Sequence, residues 1–166
     1  NQALQGGGAI SNGFKANVSY IGCNFIDNKA AFGAAIFTQN DSTRLNIDGC
    51  YFTGNNSTGA AGCVLVNTNV PTHITHSTFS LNIGGTGGAI SASGDSTLII
   101  AQCRFLDNIS TTQGAAINFS EVNAVLTNCL FAKNINTGTG AGGAIINNAS
   151  LDLTSKVKAV NCTFAD

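Results

Sequence analysis

One short motif recurs six times along the chain, and its spacing constrains the fold more than any other feature. The motif has the form Cys-x-Phe-x-x-Asn, and its first positions are 27, 27, 26, 26 and 33 residues apart. These first positions are Cys23, Cys50, Ser77, Cys103, Cys129 and Cys162. A second motif, Gly-Gly-Ala-Ile or a close variant, begins at Gly7, Gly33, Ala61, Gly87, Gly114 and Gly142. Repeats of this length predict a solenoid, in which each unit packs mainly on its two neighbours.

The apolar residues inside each repeat alternate as they do in β-strands. Leu45 and Ile47 share one face, a bend follows at Gly49, and Cys50 and Phe52 share the next face. No long stretch has the period of a helix, and each repeat is too short for a strand–helix–strand unit. The sequence therefore predicts an all-β protein. We expect a parallel β-helix of about six coils over a single domain, residues 1–166, with 26–27 residues per coil and one longer coil.

Successive coils of such a fold lie about 4.8 Å apart, so equivalent residues stack directly on one another. This predicts an internal aromatic column made by Phe25, Phe52, Phe79, Phe105, Phe131 and Phe164. It also predicts an amide ladder made by Asn28, Asn55, Asn82, Asn108 and Asn134, with Asn1 as a sixth member. An amide side chain can both donate and accept hydrogen bonds, so each ladder residue can bond the next coil and the bend backbone.

The paired Gly-Gly-Ala-Ile and Phe-x-x-Asn motifs resemble the repeats of the polymorphic membrane proteins of chlamydiae and of related microbial surface proteins. The resemblance covers essentially the whole chain. Gly87 to Ile90 matches the first motif fully, Phe79 to Asn82 matches the second, and Ala61 to Val64 departs most. The resemblance implies a right-handed β-helical domain on the cell surface or outside the cell, acting in adhesion.

The two ends of the sequence are in phase with each other. The last motif stops at Asp166, before its Asn, and the chain begins with an Asn; joining the two would place Cys162 and the next Cys23 27 residues apart. We therefore expect a head-to-tail joint formed by Asn1, Gln2, Gly7, Cys162, Phe164 and Asp166.

An open end that repeats without closing into a ring produces a filament. The expected function is thus a structural subunit, or a tandem-repeat unit, of an extracellular fibre, with the chain itself as partner and the cell surface or matrix as a further one. An adhesin domain that acts as a monomer is the alternative, and a polysaccharide-active enzyme is a third reading.

Composition bears on the remaining classes of function. Charged residues make up only 9% of the chain and the net charge is −1, so we expect no nucleic-acid partner. No apolar run reaches the length of about 20 residues that a membrane helix needs, so we expect no membrane span. The six cysteines lack metal-site spacing. We expect buried thiols rather than disulfides, and neither a metal nor a cofactor.

Catalysis by a polysaccharide-active β-helix would need clustered carboxylates. Asp27 and Asp107 share one position of the repeat, but Gly54 and Leu81 occupy it in the coils between them, which separates the two acids too far for a paired mechanism. His73 and His76 are expected in one strand, facing opposite sides. We therefore expect no catalytic residues.

Overall fold

The structure is a computed structural model that describes residues 1–13, 15–39, 44–67, 69–94, 96–148 and 155–166. These residues form short strands and no helix. In chain order the strands are β1 (Ile10–Asn12), β2 (Asn17–Ile21), β3 (Asn24–Ile26), β4 (Lys29–Ala30), β5 (Ile36–Thr38), β6 (Arg44–Asp48), β7 (Tyr51–Thr53), β8 (Asn56–Ser57), β9 (Val64–Asn67), β10 (Thr72–Thr75), β11 (Thr78–Ser80), β12 (Ile83–Thr86), β13 (Ile90–Ser93), β14 (Thr97–Ala101), β15 (Arg104–Leu106), β16 (Ile109–Gln113), β17 (Ile117–Ser120), β18 (Asn123–Thr127), β19 (Leu130–Ala132), β20 (Ile135–Asn136), β21 (Ile145–Asn148), β22 (Lys156–Val160) and β23 (Thr163–Ala165).

Every fourth strand pairs in parallel, so the chain winds through four sheets in each coil. Sheet 1 has the order β1-β5-β9-β13-β17-β21, and sheet 2 has the order β2-β6-β10-β14-β18-β22. Sheet 3 has the order β3-β7-β11-β15-β19-β23, and sheet 4 has the order β4-β8-β12-β16-β20. Gln2 extends sheet 4 through a single parallel bridge to Lys29. The predicted parallel β-helix is confirmed.

Bends between the strands are made by single residues in the left-handed region. One bend column precedes the cysteine position and the other precedes the ladder Asn, and most of their members are not glycine. Asp27 and Leu81, for example, have φ values of 52° and 57°. Such a residue turns the chain and directs the following side chain inward, which is why an inward Cys or Asn comes next in the sequence.

The Gly-rich motif also contains one left-handed position per coil. Gly87 has φ 66°, and a Cβ added to it would lie 2.0 Å from the carbonyl oxygen of Ile90. In the third coil Ala61 occupies the same place at φ 50°. The first glycine of the motif is therefore favoured by backbone conformation and by close approach, although the fold accommodates one exception.

The interior is filled by stacked columns of equivalent residues. The six Phe rings are parallel to within 7°, with centroids 4.6 to 5.0 Å apart. Four of them, Phe52, Phe79, Phe105 and Phe131, are fully buried. A second column runs along sheet 1 through Ile36, Val64, Ile90 and Ile117. These columns meet in one continuous hydrophobic core.

Removing one ring from the middle of the aromatic column should be costly. Phe79→Ala should lower the free energy of unfolding by about 3–5 kcal/mol, because it opens a cavity between two close-packed rings. Phe32→Ala is the matched control, since that ring is 44% exposed, and should cost far less. Urea denaturation of both variants measures the difference; equal losses would contradict the role assigned to the column.

Candidate functional site

The amide ladder joins successive coils by repeated side-chain hydrogen bonds. In each step the backbone N–H and the Nδ2 of one Asn donate to the Oδ1 of the Asn in the next coil. Asn55 donates to Asn82 at 3.0 and 2.9 Å, and Asn82 donates to Asn108 at 3.1 and 3.0 Å. The same Nδ2 groups donate to a Phe carbonyl of the preceding coil, as Asn82 does to Phe52 at 3.0 Å. The ladder has a direction, because every Oδ1 accepts only from the coil before it.

The two ends of the ladder are different. Asn1 belongs to the ladder, since its Nδ2 donates to the Oδ1 of Asn28 at 3.0 Å. Its own Oδ1 accepts no hydrogen bond within the described residues. At the other end, Asn134 accepts from Asn108, but its backbone N–H has no acceptor among the described residues. The head of the stack thus presents an acceptor and the tail presents a donor.

The head face also presents backbone donors. Ala3 donates to the carbonyl of Lys29, and Lys29 donates to the carbonyl of Asn1. The N–H groups of the alternate residues, Gln2 and Leu4, point away from this pairing and have no acceptor among the described residues. In the interior coils the equivalent N–H groups donate to the preceding coil, as Ile135 does to the carbonyl of Asn108.

The tail face is apolar and recessed. Phe164 ends the aromatic column, 4.9 Å from Phe131, and is 53% exposed. A groove of about 320 Å³ lies beside it, lined also by Asn134, Ala144 and Asp166. This groove follows β23 and lies beyond β20, where sheet 4 has no sixth strand within the described residues.

The structure brings the predicted joint residues to the two ends of one axis. Asn1, Gln2 and Gly7 lie on the first coil, where Gly7 has φ 67° and donates its N–H to Phe32. Cys162, Phe164 and Asp166 lie on the last coil. The two groups do not contact each other within one chain.

The cysteines form a column of free thiols at the bend between sheets 2 and 3. Cys50, Cys103 and Cys129 are buried, while Cys23 and Cys162 at the two ends are half-buried. Each thiol donates to the carbonyl two residues earlier, and in the interior coils also to a carbonyl of the preceding coil. Cys103 makes these bonds to Ala101 and Ile74, at 3.2 and 3.5 Å.

Ser77 replaces the thiol in the third coil without changing this pattern. Its hydroxyl donates to Thr75 at 2.7 Å and accepts from the N–H of Cys50 at 3.0 Å. The equivalent thiol of Cys50 accepts from the N–H of Cys23 at 3.4 Å. The position therefore requires a small side chain that both donates and accepts, which serine and cysteine provide. The sixth cysteine, Cys63, lies outside the column and is fully buried, and burial raises its pKa well above the ordinary value.

Neighbouring thiols perturb one another in the last three coils. The Cys103 thiol donates to the Cys129 sulfur, which lowers the pKa of Cys129 to about 6 and raises the pKa of Cys103. Burial opposes the shift at Cys129, and a further hydrogen bond from Cys162 supports it. These three thiols therefore act as one coupled row.

A charged pair lies on the outer surface between the second and third coils. Asp48 Oδ1 accepts from the hydroxyl of Thr75 at 2.6 Å and contacts His76 Nδ1 at 2.8 Å. The expectation that His76 lies in a strand is wrong: β10 ends at Thr75, and His76 occupies the bend with φ 48°. The hydrogen bonds from Thr75 and His76 lower the pKa of Asp48, and its carboxylate raises the pKa of His76.

The acids considered for catalysis lie in the bends. Asp27 and Asp107 have φ 52° and 53°, with Gly54 and Leu81 at the same bend in the coils between them. Among the described residues, no group of three or more His, Cys, Asp or Glu side chains surrounds a point where a metal ion could bind. The residues described also contain no helix with the length and apolarity of a membrane span.

The fold and its ladders define the chain as a parallel β-helix built from six homologous coils. No protein-family model, no curated protein and no solved structure matches it.

The amide ladder should contribute strongly to stability. Asn82→Ala removes two acceptor contacts and two donor contacts inside the core. It should lower the free energy of unfolding by about 3 kcal/mol, because each buried polar group left unpaired costs about 1–3 kcal/mol. The half-buried neighbour Asn56 provides the control, as Asn56→Ala leaves the ladder intact. Similar denaturation midpoints for the two variants would contradict the ladder's role.

The surface pair predicts a defined pH dependence. The raised pKa of His76 contributes stability that is present below its ordinary value of 6.5 and lost as the pH rises through the folded-state pKa. The lowered pKa of Asp48 contributes stability that is present above 3.8 and lost as the pH falls through the folded-state pKa. The difference in unfolding free energy between wild type and His76→Gln should therefore be largest between about pH 4 and 6.5 and shrink above pH 8.

His73→Gln is the control for this experiment, because His73 is exposed on the same strand and makes no contact with Asp48. A pH-independent difference for His76→Gln, or the same profile for both variants, would contradict the assignment.

Proposed function

We propose that this chain is a structural unit of an extracellular fibre whose units stack head to tail along the β-helix axis. The observation that carries the proposal is the match between the two end faces. The tail presents an unpaired N–H at Asn134, and the head presents the unpaired Oδ1 of Asn1. Elsewhere in the ladder these two groups bond each other.

The contacts at such a joint follow from the interior coils. Asn1 of the next unit would take the place above Asn134, and its Nδ2 would donate to the carbonyl of Phe131, as Asn134 donates to Phe105. The N–H of Gln2 would donate to the carbonyl of Asn134, as Ile135 donates to that of Asn108. The incoming segment would also fill the groove beside Phe164.

The core columns support the same arrangement. At the joint, Phe25 of the next unit would cover Phe164, Ile10 would cover Ile145, and Cys23 would follow Cys162. All of these are partly exposed in one copy except Phe25, which is 6% exposed. Burying them would contribute about 25 cal/mol per Å² of apolar surface. The next coil is supplied either by a second copy or by a further repeat of the same polypeptide, and both arrangements use the same contacts.

The extracellular location is part of the proposal and is supported by the resemblance of the paired motifs to those of microbial surface proteins. A low content of charged residues, 9%, also suits a surface made of neutral Asn, Ser and Thr side chains.

The purified chain should form unbranched fibres with a periodicity along the axis. Six coils of about 4.8 Å each predict an axial repeat of about 29 Å, measured by fibre diffraction or electron microscopy. Gln2→Pro should abolish assembly while preserving the folded unit, because it removes an N–H that has no acceptor within the chain. Gln2→Ala keeps that N–H and should assemble as wild type does.

A monodisperse monomer at every concentration would overturn the fibre and favour the adhesin alternative. Fibres that lack the 29 Å repeat, or that form equally well from Gln2→Pro, would show that the units assemble through other surfaces.

A further inference from the structure

The thiol column contains two uninterrupted runs. Cys23 and Cys50 occupy the first two coils, Ser77 interrupts the column, and Cys103, Cys129 and Cys162 occupy the last three coils. Within each run the thiols face the same way and follow one another at the coil spacing. The thiol of Cys129 is in direct contact with those of Cys103 and Cys162.

The coil spacing is too long for a disulfide and suits a different bond. The Phe rings of the same three coils are 4.7 and 4.9 Å apart, which measures the axial step. Two disulfide sulfurs must approach to about 2.05 Å with side chains turned toward each other, whereas these thiols are parallel and free. A thiolate–metal bond is about 2.3 Å long, as for zinc, so two sulfurs on opposite sides of one ion lie about 4.6 Å apart.

We propose that the thiol column binds soft monovalent cations of the Cu⁺ type, each held in linear coordination between the sulfurs of successive coils. One run is Cys103, Cys129 and Cys162, and the other is Cys23 and Cys50. Soft thiolate ligands select Cu⁺. The geometry excludes ions that need three or four ligands around one point, because the thiols lie in a row. This site is independent of the proposed fibre.

Binding exchanges protons for the ion. Each of the two S–H groups that hold one Cu⁺ releases its proton to solvent, and the resulting two thiolates and one cation carry a net charge of −1. No electron is transferred, because copper enters and remains as Cu⁺. Replacing the S–H donors also frees the carbonyls they bonded, such as Ile100 and Thr127 beside Cys129.

The column is reached from its ends and from one side. Cys23 and Cys162 are half-buried at the end coils. An open groove of about 590 Å³ runs along the bend and is lined by Cys103 and Cys129, and by the cation Arg104. The guanidinium offsets part of the negative charge that two thiolates and one Cu⁺ would carry.

The test adds Cu⁺, as its acetonitrile complex, to the reduced full chain under nitrogen in the presence of a competing Cu⁺ chelator. Native mass spectrometry counts the bound ions, and ultraviolet charge-transfer absorption reports thiolate coordination. Wild type should bind at least two ions. Cys129→Ser should retain one, since Cys103 and Cys162 are then two coils apart. Ser77→Cys should bind at least one more than wild type, because it joins the two runs.

Cys63→Ser is the matched control, since it removes a buried thiol outside the column and should bind as wild type does. Serine already occupies the column at Ser77, so Cys129→Ser should fold, which circular dichroism checks. If it does not fold, Ser77→Cys alone decides the question. The proposal is overturned if wild type binds no Cu⁺ against the chelator, if Cys129→Ser binds as many ions, or if Ser77→Cys adds none.

Discussion

Parallel hydrogen bonding between successive coils, in register, is the constraint on which the rest of this structure depends. It fixes one axial step of about 4.8 Å, and it places each residue above its equivalent in the coil before. Any side chain that suits this position once must also suit its own copy directly above and below. Phe satisfies the requirement by stacking, Asn by bonding another Asn, and the Cys position by a thiol that both donates and accepts.

The apolar and polar columns have different physical roles. The Phe and Ile columns remove apolar surface from water, but they would tolerate a rotation or a small shift between coils. The Asn ladder does not, because a slip of one residue would leave its buried amides without partners and would turn the strand faces over. The Phe column therefore supplies most of the burial, and residues such as Asn82 hold the register in which that burial occurs.

The sequence predicted the fold because its period and its alternation report the same geometry twice. Phe79 and Asn82 could be placed inside from their recurrence alone. The division of each coil into four sheets could not be predicted, since the bends depend on single left-handed residues of many types, such as Asp27, Leu81 and Lys133. For the same reason His76 was expected in β10 and lies in a bend, where it pairs with Asp48 of the previous coil. Contacts on the outer surface follow from such bends and have no periodic signal.

The direction of the amide ladder has a consequence for assembly. Each Oδ1 accepts from the coil before it and each N–H donates to the coil after it, so the two end faces can never be alike. Head-to-head and tail-to-tail contacts would bring acceptor against acceptor, or donor against donor, and would misplace the Phe column as well. Only a head-to-tail contact continues both columns, and such a contact is translational along the axis and does not close on itself. A polar, open-ended stack is therefore the assembly that the internal hydrogen bonds of one coil already specify.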